Sequence, residues 1–308
     1  MDSSNEVKRL VKRITRDFDE WTVLPSMVNS FLKKPQTKLG HFIETGDDDV
    51  LIDLETSRLH TWHYTRFAAA FLNQKTYLTD EFALATHYAV WTVLFSETLA
   101  RRDRGGDLVE DTAAFYFAMP IIAGWPRESI ALGDALLEGL DNPMLDLRIN
   151  DQHESGVLFP HFWFLMHLYT SWRGYKPIDI SRYSYPESMA PYAQVLEDWR
   201  TEDVSKVQRW VEEMAEHHVQ KTDDADPDGK NEFDFDRAKL FPYEIFAFLR
   251  LREWLKLPNP TSFEHPLMNQ PLGYLPQPLP DGGPAIPLLD QVIERYRQDF
   301  PDLRRIGV

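Results

Sequence analysis

Between Glu81 and Glu97 the chain reads FALATHYAVWTVLFS, fifteen residues with no Asp, Glu, Lys or Arg. As a helix this segment is apolar on every side, so it cannot lie on a surface and must be enclosed by other helices. Opened by Thr79 and Asp80 and running to about Arg104, it is the expected centre of a bundle.

Other segments supply the enclosure. Ser3 and Glu6 read as a capping box, followed by Val7, Leu10, Val11, Ile14 and Phe18 at helical spacing. Lys8, Arg9, Lys12, Arg13 and Arg16 fall on the opposite, solvated face. Further helices are expected at 54–73, 107–123, 126–140, 157–172, 187–199, 203–220, 237–256 and 286–299. Pro126 stands where a first helical turn tolerates it, and the glycines of RGGD and SWRGY follow helix ends. Period-2 alternation is scarce. The expected fold is all-α, a multi-helix bundle or solenoid-like array of about ten helices.

Residues 257–287 hold nine of the 21 prolines, which forbids regular helix or a central strand. Leu267, Met268, Leu272, Tyr274, Leu275 and Leu279 are interleaved, so an extended strap packed on the helices is expected, ahead of a C-terminal helix and tail at 288–308. PQPLP within it fits an SH3-like groove. The chain is read either as one domain, 1–308, or as two subdomains, 1–145 and 150–308, parted at a break near 140–156.

Composition narrows the chemistry. There is no cysteine, which excludes disulfides, thiolate nucleophiles and Cys-ligated metal centres. A net charge of −16 disfavours nucleic acid as a partner. Neither a secretory signal nor a membrane span is read from the sequence, and a cytoplasmic protein is expected.

KTDDADPDGKNEFDFDR, residues 221–237, looks at first like a calcium loop. Asp224, Asp226, Asp228 and Gly229 fit EF-hand positions 1, 3, 5 and 6, but Phe235 stands where the bidentate glutamate belongs and Asn231 where an apolar residue belongs. It is not an EF-hand, and no metal or other cofactor is expected. Just upstream, Val204, Val207, Val211, Met214 and His218 form a core-facing stripe, with Glu212, Glu213 and Glu216 on the other side. From Leu196 to Asp236 there are 14 acidic and five basic residues. Such a surface steers a basic protein partner. The candidate contact residues are Glu212, Glu213, Glu216, Asp223, Asp224, Asp226, Asp228, Glu232, Asp234 and Asp236.

No nucleotide-binding or hydrolase motif occurs. His60, His63, His161 and His167 are expected to be structural. Arg58 and His63 share the Arg-x4-His spacing of HEPN-type ribonucleases, but Leu59 replaces a usual polar residue and a five-residue offset turns the pair about 140° apart on one helix. A helical hydrolase or ribonuclease using Arg58, His60 and His63 is the alternative enzyme reading. A scaffold or adaptor is the alternative binding reading.

The order of certain segments resembles a known group. AMPIIAGWPRESIALGDALLEGL (118–140), FPHFWFLMHLYTSWRG (159–174), PYAQVLEDWRTEDVSKVQRWVEEMAEHH (191–218) and FPYEIFAFLRLREWLKLPNPTSFEHPLMNQPLG (241–273) are similar in pattern to the all-α immunity proteins of bacterial polymorphic toxins, the PoNe-type nuclease immunity group. The resemblance spans roughly residues 55–275. It implies a non-catalytic antitoxin that neutralises a cognate secreted toxin, a nuclease with a basic surface, by tight direct binding.

Overall fold

A computed structural model describes residues 3–74, 78–145, 159–222, 231–233 and 235–307. The chain is all-α, with no β-strand among the described residues. Its helices are α1 (Ser3–Val23), α2 (Pro25–Val28), α3 (Lys34–Thr45), α4 (Ile52–Gln74), α5 (Thr79–Ala100), α6 (Glu110–Ala123) and α7 (Pro126–Gly139). Then come α8 (Pro160–Arg173), α9 (Tyr192–Asp198), α10 (Val204–Gln220), α11 (Asp236–Lys239), α12 (Tyr243–Trp254) and α13 (Pro287–Asp299). Short 3-10 turns and one π-helical turn, Asn29–Lys33, join them.

Two compact units follow the chain differently from a cut near 145–150. One comprises Met1–Ile14, Glu110–Ile122 and Leu147–Pro276; the other comprises Thr15–Val109, Ala123–Asp146 and Gln277–Val308.

In the second of these, α4 and α5 form an antiparallel pair. Contacts fix the direction: Ser96 Oγ donates to Asp53 at 3.0 Å, Thr92 to Thr56 at 2.9 Å, the His60 ring meets the Ala85 carbonyl at 2.9 Å, and His63 meets Glu81 at 2.7 Å. As residue numbers rise on α4 they fall on α5. Every α5 residue from Tyr88 to Ala100 is buried, as its uncharged stretch requires. Buried Glu97 ends the helix against Arg304, two contacts of 3.0 Å, and Arg304 also meets Glu138 at 2.8 Å. The later strap belongs here: the Leu279 amide donates to the Ala123 carbonyl (2.8 Å) and Trp125 Nε1 to Pro280 (2.9 Å). Gly106 has φ +88°, and a Cβ there would lie 2.2 Å from the Ser96 carbonyl oxygen. Gly106→Ala should therefore cost about 2 kcal/mol or more, read as a lower urea midpoint.

The other unit is built on aromatic packing. Phe117 meets Tyr169 edge-on at 5.4 Å, Phe115 meets Tyr243 at 5.1 Å, and Phe164 stacks on Tyr192 at 4.7 Å. Here α8 packs on α9 and α12, and α10 on α9 and α12. The first part of the strap turns twice, at Pro266–Asn269 and Pro271–Gly273, burying Leu267, Met268 and Leu272. Tyr274 departs from the expected packing: it is 56% exposed. PQPLP is already engaged through its backbone, because the Pro276 carbonyl accepts from Arg250 and the Pro280 carbonyl from Trp125. The Ser3 hydroxyl, read as a cap, donates instead to Glu216 at 2.6 Å.

Candidate functional site

Helix α10 opens with Asp203, whose carboxylate accepts from the amides of Ser205 (3.0 Å) and Lys206 (3.2 Å). Val207, Val211, Met214 and His218 then face inward and are buried, together with Trp210, Ala215 and Val219. This leaves Glu212, Glu213 and Glu216 on the outward side. With Ala190, Pro191, His217 and Gln220 they line an open depression of about 440 Å³.

The carboxylates there are positioned by neighbours. Glu212 accepts from the Glu264 amide (2.7 Å) and Glu213 from Gln194. Glu216 accepts from Ser3, from Gln220 (2.9 Å) and contacts His265 (3.0 Å). Burial would raise the Glu216 pKa, but bonds from Ser3, His265 and Gln220 outweigh it and hold the carboxyl below its ordinary value. A carboxylate has about four acceptor positions, so these contacts leave capacity for an incoming cation.

Glu232 corrects the sequence reading. It is buried, 4% exposed, and is no surface contact. Its Oε1 accepts from the His161 amide (3.0 Å) and meets His161 Nδ1 (2.8 Å), while Oε2 meets His217 Nε2 (2.7 Å). Burial alone would raise its pKa; the hydrogen bonds of His161 and His217 prevail and lower it strongly. The depression is thus wired inward, from half-buried His217 through Glu232 to His161. Beside this, His218 meets Glu244 through Nδ1 (2.8 Å) and the Ala238 carbonyl through Nε2 (3.1 Å). Phe233 stacks between the rings, 3.8 Å from His218 and 4.8 Å from His161.

Asp236 is partly exposed at the start of α11 and is shared by Arg13 (3.3 Å) and Lys239 (3.7 Å), which blunts its charge. Asp223, Asp224, Asp226, Asp228 and Asp234, and with them the first half of the loop tested against the EF-hand, lie outside the described residues. Arg58, His60 and His63 form no shared site: Arg58 pairs with Glu55 at 3.0 Å, and both histidines serve the α4–α5 contact.

Sequence reasoning missed the His217–Glu232–His161 network because Glu232 lies 71 residues from His161. The Glu/His-rich end of α10 was the only local sign of it. Among the described residues, no three His, Cys, Asp or Glu side chains are grouped as metal ligands, and no helix is long and apolar enough to cross a membrane. Comparison with protein-family models, curated proteins and solved structures finds no match. Function is therefore argued from the site itself.

Proposed function

We propose that this chain is a non-catalytic binding protein of the cytoplasm that presents the α10 carboxylates to a basic protein partner. The observation that carries the reading is the convergence of Glu212, Glu213 and Glu216 on one open depression. An acidic concavity accepts lysine or arginine side chains, and in a chain of net charge −16 it speeds encounter with a basic surface. The buried network under His217 fixes the helix, so little ordering cost attends binding.

The partner, on the segment resemblance, is a secreted toxin whose nuclease surface is basic where it meets DNA. Covering that surface would exclude substrate without catalysis. Neutralisation calls for nanomolar affinity, about −12 kcal/mol. The test is expression of the product of the adjacent reading frame in a susceptible host, with and without this protein. Survival restored only by co-expression, with a one-to-one complex on gel filtration, is expected. A harmless neighbour, or killing that this protein does not relieve, would remove the antitoxin reading.

A further inference from the structure

A second concavity, of about 450 Å³, lies at the C-terminal end of α8 and against α9, with His167, Ser171, Tyr175, Tyr185, Met189 and Ala193 among its lining residues. Its size falls in the range of small-molecule pockets. No Asp, Glu, Lys or Arg side chain lines it among the described residues.

Its polar groups are few and specific. Ser171 Oγ accepts from Trp199 Nε1 at 2.9 Å, and its own O–H is donated to no described group. His167 Nε2 and the Tyr185 hydroxyl lie 3.1 Å apart. If the phenol donates, His167 Nδ1 carries the proton; if Nε2 donates, Nδ1 is an acceptor and the phenol proton is released for another partner. Burial lowers the His167 pKa and raises that of Tyr185, so both are neutral at neutral pH. Two phenol rings offer flat faces, and Arg173, 5.4 Å from the Tyr175 ring, holds that ring in place.

We infer that this pocket is a binding site for a neutral, planar heteroaromatic compound of one or two rings that carries a carbonyl group. None of the lining residues is a cation that could receive an anion: of the arginines nearby, Arg200 donates to the Ser171 carbonyl and Arg173 packs on the Tyr175 ring. Cations find no carboxylate. A ring carbonyl accepts from Ser171 and from the Tyr185–His167 pair, while the ring packs on tyrosine, Met189 and Ala193. The inference is independent of the acidic face.

The test uses the full chain with ¹³C-labelled methionine methyls, the Met189 signal assigned through Met189→Leu, and 4-quinolone as probe. A saturable shift of the Met189 methyl is expected. Ala193→Trp, a substitution at an exposed position that fills the pocket, should abolish it while the other methionine signals stay in place. Ser171→Ala and Tyr185→Phe should each weaken binding by about fivefold, the worth of one hydrogen bond. Absence of a saturable shift, an equal shift in Ala193→Trp, unchanged affinity in both hydroxyl variants, or equal binding of the anion 2-naphthoate would each overturn the assignment.

Discussion

Replacing Arg252 with alanine should cost about 4 kcal/mol of stability, because a buried cation's partners would all be left unsatisfied at once. Arg252 stands on α12 with no exposed surface. Its guanidinium donates to the carbonyls of Trp199, Thr201 (2.9 Å) and Pro258 (2.6 Å), and to Asn259 Oδ1 at 2.9 Å. Burial lowers its pKa, opposed by Asp198, from a starting value so high that the group stays charged at neutral pH. One side chain therefore ties the α9–α10 link and the start of the strap to α12. Arg252→Lys should recover less than half of the loss, since an ammonium cannot span four acceptors in a planar fork. Urea unfolding followed by circular dichroism measures both. A loss below about 1 kcal/mol for alanine would contradict the anchoring role.

Glu232→Gln should cost about 3 kcal/mol near neutral pH, and the loss should shrink in acid. The sign follows from the lowered folded-state pKa of Glu232, where burial is outweighed by His161 and His217. A depressed carboxyl contributes stability above its unfolded pKa of about 4.3, and that contribution disappears as pH falls toward the folded value. Glutamine has no such transition and turns an amide N–H₂ toward a ring N–H. Urea midpoints at about pH 7, 5 and 3.5 separate the cases: the deficit of the variant should be full at the two higher values and smaller by about 1 kcal/mol at the lowest. A difference constant across this range would mean that the carboxylate is not the stabilising form.

Where burial follows from local periodicity, the sequence was legible. Most of the uncharged run of α5 lies inside, with Leu84 and His87 half-buried; the α10 stripe is buried from Val207 onward, with Val204 half-buried, and the outward side of α10 carries Glu212, Glu213 and Glu216 together. Helix α3 is not among the helices expected from the sequence; Pro35 stands in its first turn, directly after the π-helical turn Asn29–Lys33. The segment 237–256 was read as one helix, yet Pro242 parts α11 from α12. Glu232 was misread for a different reason. Counting charge along the chain cannot show that a carboxylate has two histidine partners from distant helices, and only that pairing makes its burial tolerable. The same holds for Arg252, whose acceptors are mainly backbone carbonyls that leave no sequence pattern.

The most direct measurement of the central claim is the association rate constant with the captured partner, taken across a salt series for wild type and for Glu212→Lys/Glu213→Lys. Glu216 is left intact because Ser3 and His265 depend on it. Wild type should associate fast at low ionic strength and slow steeply as salt rises; the variant should be at least about tenfold slower at low salt, with a shallower slope. Equal rate constants and equal slopes in a folded variant would contradict the acidic face as the binding surface.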